Sequence, residues 1–175
     1  MKPIPKEIIE KIRMGAVAIL PTDTIYGIVG SALRPDVVER IYDLQTRGGK
    51  KPMIVLISGV EDLKKFSIVL SSKYSSFLKK IWPAPISVII PCPEEEYKYL
   101  HRGMKTVAFR LPKDEWLRNL LKKTGPLVAP SASPEGLRPA QTIQDAKNYF
   151  GERVDLYIDG GLKRGEPSML IEIKR

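Results

Sequence analysis

The chain reads as an α/β domain built on a twisted open mixed sheet flanked by helices. Three observations predict it. Short apolar runs rich in β-branched residues, such as Ala16–Leu20, Met53–Ser58 and Thr106–Leu111, have the length of buried strands. Between them lie stretches whose apolar residues recur at helical spacing. The alternation is imperfect, which argues for a mixed rather than an all-parallel sheet. The length of 175 residues fits one domain, residues 1–175, with no visible internal boundary, repeat or low-complexity tract. A domain of that size buries roughly 70% of its unfolded surface and needs no covalent staples.

The elements follow in order. Pro5 suits the first turn of a helix and Gly15 its stop, with Ile8, Ile9 and Ile12 as one stripe. Ala16–Leu20 is a buried strand ending in Pro21-Thr22-Asp23-Thr24. A helix starts near Pro35-Asp36 and carries Val37, Val38, Ile41 and Leu44. Met53–Ser58 is a second buried strand, followed by helical stretches over Val60–Phe66 and Ser71–Trp82. Ser87–Ile90, Thr106–Leu111 and Leu127–Ala129 are strands, with a helix over Asp114–Lys123 stopped by Gly125-Pro126. Thr142 caps a helix that runs to Phe150 and stops at Gly151. Val154–Ile158 and Met169–Ile173 are the last strands. Pro91–Lys105 is irregular and reads as a surface loop with a short helical turn.

Charge and composition narrow the function. The formal charge is +9, a field that attracts nucleotides, pyrophosphate or RNA; a solvated Lys- and Glu-rich surface gives the same number. One cysteine, Cys92, allows neither an internal disulfide nor a cysteine-based metal site. The single histidine, His101, falls in the irregular loop, leaving little material for Ser-His-Asp catalysis or a multi-histidine metal centre. The N-terminus lacks a signal-peptide apolar run and no stretch approaches 18 apolar residues, so a cytoplasmic protein with no membrane partner is expected.

In open α/β sheets ligands gather at the C-terminal ends of strands. Three such ends are polar here: Thr22-Asp23-Thr24, Ser131-Ala132-Ser133 and Arg110. Hydroxyls orient a ligand, and an arginine fork takes carboxylate or phosphate. Thr and Asp also make ordinary turns and caps, and Pro21–Gly27 by itself reads as either. A fourth cluster, Gln45–Lys51, sets Arg47, Lys50 and Lys51 beside Gly48 and Gly49, a loop able to close over phosphates. It is not a Walker loop, and no Gly-x-Gly-x-x-Gly follows a strand. What remains is chemistry by positioning and positive charge, with Mg²⁺ as a companion of the phosphates.

In order along the chain stand PTDTIYG, the basic loop, KPMIVLIS, IWPAP, TVAFRLP, PLVAPSAS and DLYIDGG with PSMLIEI. This order resembles the YrdC/TsaC family, also called Sua5/YciO/YrdC, over nearly the whole chain, in its short single-domain form. The resemblance implies a YrdC-like fold with a concave basic groove. It implies L-threonylcarbamoyladenylate synthase activity: L-threonine and bicarbonate give N-carbamoyl-threonine, which attacks the α-phosphate of ATP and releases pyrophosphate. The product serves tRNA threonylcarbamoyladenosine modification, with threonylcarbamoyl-transfer enzymes as partners. Binding of tRNA or double-stranded RNA by the groove is also implied. Carried onto this chain, Thr24, Arg110, Ser131, Ser168 and Tyr26 face the threonine, and Arg47, Lys51, Thr106, Ser133 and Gln141 the ATP. No side chain is assigned as nucleophile and no protein metal site is implied.

The chain departs from the family pattern at some of these positions. Lys-x-Arg appears as Gln45-Thr46-Arg47, and Ser-x-Asn as Ser131-Ala132-Ser133. Gln141 stands where an arginine is frequent, with Arg138 nearby. Leu56 and Met169 replace a histidine and a threonine of other members, and Trp82-Pro83-Ala84-Pro85 replaces a Trp-Pro-Gly-Pro turn. A lost charge-assisted contact costs a few kcal/mol of transition-state binding, on the order of a hundredfold in rate. A second reading therefore stands beside the enzyme: a catalytically degenerate paralogue that binds RNA or nucleotide.

Overall fold

The computed structural model describes residues 3–46, 48 and 52–172. Helix α1 (Lys6–Arg13) leads into β1 (Ala18–Pro21), which turns back as β2 (Tyr26–Ser31). Then follow α2 (Pro35–Leu44), β3 (Ile54–Leu56), a 3₁₀ segment (Val60–Phe66) and α3 (Ser72–Ile81). Next come β4 (Ile86–Pro91), a 3₁₀ turn (Glu95–Tyr97), α4 (Lys98–His101), β5 (Thr106–Arg110), α5 (Glu115–Thr124) and β6 (Leu127–Val128). The chain continues through α6 (Ile143–Phe150), a 3₁₀ turn (Gly151–Arg153), β7 (Leu156–Tyr157) and β8 (Met169–Glu172).

The eight strands form one open sheet in the order β7-β1-β2-β6-β3-β5-β4-β8. Pairs β1/β7, β3/β5 and β4/β8 are parallel and the other neighbours antiparallel, so the sheet is mixed as expected. The helices carry local signals that hold them. Thr142 and Asp145 make a capping box on α6, and the Asp114 carboxylate accepts from Leu117 N on α5. One expected feature changes form. Tyr26–Ser31 is a strand that was not expected, so Thr22–Ile25 is the turn of a β-hairpin rather than the exit of a lone strand.

Alternation along the strands sorts side chains onto two faces. Val107 and Phe109 of β5 join the larger core with Val88, Ile28 and helices α2 and α6. The opposite face carries Ala18, Leu20, Val29, Leu56 and Leu127, covered by Ile9 and Ile12 of α1 and Leu117, Leu120 and Leu121 of α5. Those two helices cover only part of that face. Beyond them Thr106, Ala108 and Arg110 of β5, Ile54 of β3 and Ile89 of β4 line an open hollow.

Candidate functional site

The hollow has a volume of about 430 Å³. Its floor is the sheet face just described. Its rims are the hairpin turn with Thr22 and Thr24, the stretch Ala129–Ser131, Met104 from the irregular loop, and Pro167 and Ser168. Pro52 and Met53 also line it, next to the loop 47–51.

The three polar strand ends do not share one edge of the sheet. Strand β5 runs parallel to β3 and antiparallel to β6, while β6 and β1 run the same way. They meet across the face instead. Arg110 Nη1 lies 3.5 Å from Thr24 Oγ1, and Lys113 N, just past β5, donates to Asp23 Oδ2 at 2.9 Å.

Arg110 is 4% exposed and poorly supplied with partners. Its Nη2 lies 3.2 Å from Asp23 Oδ1 as an ion pair, yet that oxygen makes no hydrogen bond and Arg110 Nε has none either. Burial pulls the guanidinium below the usual arginine range, and Asp23 pulls it part of the way back; an arginine stays charged regardless. A buried guanidinium with one donor left without a partner, lining a cavity, suits a planar anion, since a buried donor without an acceptor is costly. Among the described residues it is the one cation lining the hollow. The cavity wall is otherwise rich in apolar groups such as Met53, Ile54, Ile89 and Leu170, so the expected basic groove is not borne out by the described wall.

The hairpin turn is wired internally. Thr22 Oγ1 donates to Ile25 O at 2.7 Å and accepts from Thr24 N and Ile25 N. The Thr22 and Thr24 hydroxyls lie 2.9 Å apart, which ties Thr24 into the same wiring. Thr24 Oγ1 lies 3.5 Å from Arg110 Nη1 and Thr24 lines the cavity, where a hydroxyl oxygen suits a ligand's ammonium or hydroxyl.

Ser131 lines the opposite rim, and Gly27 bridges to it across β2. Ser168 lines the rim as well, and its hydroxyl lies 2.8 Å from that of fully buried Ser87 on β4. Thr106 sits at the start of β5 on the cavity face. Tyr26 borders the hollow, but its hydroxyl is engaged elsewhere. It accepts from Gly160 N at 2.9 Å and donates to Gly161 O at 2.8 Å. Burial pushes this phenol up, so it stays a neutral donor. Tyr26 thus fastens the 159–168 strap rather than offering its hydroxyl to a ligand. A Cβ at Gly165 would overlap the Thr24 carbonyl and one at Gly160 the Pro21 ring, so only glycine lets the strap lie this close.

Other expected site residues stand apart from the hollow. Ser133 is 3% exposed and absent from the cavity wall; its hydroxyl is 3.4 Å from that of Ser131. Gln141 lines a neighbouring hollow of about 490 Å³ with Arg138 and Lys163, which shares Ile25, Pro139 and Pro167 with the first. Arg47 and Lys51, with Gly49 and Lys50, lie outside the described residues. Gln45 is 2% exposed, and its Nε2 donates to the carbonyls of Ser131 at 2.7 Å and Ser133 at 3.0 Å. It is a clamp on that turn. His101 is buried, not superficial: its Nδ1 accepts from Gly103 N and Lys105 N and shapes the turn that carries Met104. Sequence reasoning gave no role to Asp23, Ser87 or the Gln45 clamp, because their partners are 81 to 90 residues away in the chain.

Among the described residues no helix is long and apolar enough to cross a membrane. The family model described as Telomere recombination, Sua5/YciO/YrdC, matches residues 10–175. The chain is similar to the threonylcarbamoyl-AMP synthase of Pyrococcus abyssi, at 30% identity over 165 residues, covering 93% of this chain and 48% of that protein. It therefore spans about half the length of that relative. It is similar to the threonylcarbamoyl-AMP synthase of Marinobacter nauticus, at 29% identity over 167 residues, covering 94% of this chain and 88% of that protein. The crystal structure of P. abyssi Sua5 complexed with L-threonine matches with a TM-score of 0.87 and 28% identity, over 95% of this chain and 50% of that one.

Proposed function

The chain belongs to the Sua5/YciO/YrdC family, and from that premise we propose that it is a nucleotidyltransferase making L-threonylcarbamoyladenylate and pyrophosphate from L-threonine, bicarbonate and ATP. The observation that carries the reading is Arg110, a buried guanidinium that lines a 430 Å³ hollow beside the Thr24 hydroxyl. A relative named threonylcarbamoyl-AMP synthase and a Sua5 structure with L-threonine support the choice of ligand.

In this reading Arg110 takes the amino acid's carboxylate in its fork. Thr24 accepts from the ammonium or hydroxyl, while Ser131 and Ser168 stand on the rims as further hydroxyl partners. N-carbamoyl-threonine, formed from threonine and bicarbonate, attacks the α-phosphorus of ATP through a carbamate oxygen. To form that carbamate the threonine amine gives up a proton and attacks the bicarbonate carbon, and water leaves as the C–N bond forms; in the second step the new P–O bond forms as the bond to pyrophosphate breaks. The chain contributes positioning and fixed charge, and needs no nucleophile of its own. Thr106 and the loop with Arg47 and Lys51 are assigned to the nucleotide side, with Ser133 and Gln141 as more remote members. Among the described residues no three His, Cys, Asp or Glu side chains converge on one point. Mg²⁺ would therefore enter with the nucleotide's phosphates, as part of the substrate. The product would pass to enzymes that place the threonylcarbamoyl group on tRNA.

The RNA- or nucleotide-binding reading leaned on the +9 charge and on Gln45 and Ser133. Both residues are buried, and neither lines the cavity. Pyrophosphate release by the full chain is expected only when L-threonine, bicarbonate and ATP are present together. Release indifferent to threonine would overturn the proposal. RNA binding that falls steeply with salt, without any release, would favour the second reading.

A further inference from the structure

We infer that Asp23 makes the Arg110 locus selective for an amino-acid zwitterion over a simple carboxylate anion. The choice of ligand rests on the threonine reading above; the selectivity rests on the pair itself. Asp23 and Arg110 have side chains 6% and 4% exposed, with Asp23 Oδ1 and Arg110 Nη2 3.2 Å apart. Asp23 Oδ2 is committed to Lys113 N, and Oδ1 has no hydrogen bond. Asp23 is not part of the cavity wall, so it acts through Arg110 and through its field.

A lone buried guanidinium would draw in any anion. With Asp23 behind it the pair has no net charge. A simple carboxylate then gains from Arg110 and loses to Asp23 across a poorly screened interior. A zwitterion keeps the first gain, and its ammonium turns the second term favourable. Thr24, whose hydroxyl lies 3.5 Å from Arg110 Nη1, lines the same cavity and offers that ammonium an oxygen acceptor. A merely mechanical Asp23, tying the hairpin turn to the exit of β5 through Lys113 N, would not distinguish the two ligands.

The test is calorimetric titration of the full chain with L-threonine and with 3-hydroxybutyrate, which keeps the carboxylate and hydroxyl and lacks the ammonium. Asp23→Asn retains an acceptor for Lys113 N and removes the charge. It is expected to tighten 3-hydroxybutyrate about thirtyfold, the size of one unit charge acting across roughly 8 Å at an effective dielectric of about 20. Threonine is expected not to tighten. Asp23→Glu keeps the charge and should keep the wild-type preference. Arg110→Ala added to Asp23→Asn should remove the gain and so locate it. Thermal melts establish that each variant is folded, and Asp23→Ser carries the same expectation should the asparagine variant not fold. Parallel weakening of both ligands in a neutral, folded variant would overturn the inference, as would loss of preference in Asp23→Glu. If the wild type fails to bind threonine while the 3-hydroxybutyrate gain survives, the threonine reading falls and the charge effect of Asp23 stands.

Discussion

Two hydroxyl-bearing turns flank the hollow and look alike in sequence, Thr22-Asp23-Thr24 and Ser131-Ala132-Ser133. They are held by opposite means. The first is wired mainly from within, Thr22 Oγ1 serving Ile25 O, Thr24 N and Ile25 N within four residues of chain, with Lys113 N reaching Asp23 from outside. The second is held from outside by Gln45, whose amide nitrogen reaches two of its carbonyls. A turn wired to itself is free to aim its remaining hydroxyl, and Thr24 faces the cavity. A turn held by its carbonyls presents one hydroxyl, Ser131, and turns the other, Ser133, inwards.

The largest effect should come from cutting the external clamp. Gln45→Ala leaves the Ser133 carbonyl buried without its donor and opens a void where the side chain was. The expected cost is about 3 kcal/mol, read as a melting temperature lower by roughly 10 °C. Gln45→Lys sharpens the comparison. A lysine can donate to the same carbonyls, so this variant should lose less stability than the alanine and leave the rate of pyrophosphate release nearly unchanged. A large rise in rate would mean that a cation at this position reaches the nucleotide, contrary to the clamp.

A smaller loss should follow from breaking the internal wiring. Thr22→Val is nearly isosteric and removes the acceptor of two backbone N–H groups. About 1–2 kcal/mol of stability should go. The same change releases Thr24 from its partner, so threonine affinity should fall as well. Thr24→Val should reverse the balance, with little change in melting temperature and a loss of threonine binding. Equal stability losses in the two variants would erase the distinction between the wiring residue and the aimed one.

How far each region was legible follows from the same contrast. Helices announced themselves because their signals are local: the Thr142–Asp145 capping box, the Asp114 cap and the isoleucine stripe of α1 all lie within a few residues. Strand β2 escaped because Tyr26–Ser31 carries two glycines and follows a polar turn that reads equally as the end of β1. Thr24, Arg110, Ser131 and Ser168 were reached through motif order and do line one cavity. Strand-end logic alone would have misplaced them, because β5 runs against β1 and β6. The Asp23–Arg110 pair and the Gln45 clamp stayed hidden. No periodicity reports a contact across more than 80 residues, and Gln45 resembled a lost charge until its carbonyl partners were seen.

Ser133 gives the smallest expected effect and the finest test of the contrast. Its hydroxyl lies 3.4 Å from the Ser131 hydroxyl, near the limit of a hydrogen bond. Its carbonyl, which carries the clamp, is untouched by Ser133→Ala. Stability should therefore change by about 0.5 kcal/mol or less, and ATP affinity should stay within about twofold, a difference of about 0.4 kcal/mol. A substantial loss of ATP binding with an unchanged melting temperature would show that the second turn also aims a hydroxyl at the nucleotide. The two turns would then differ in how they are held but not in what they do.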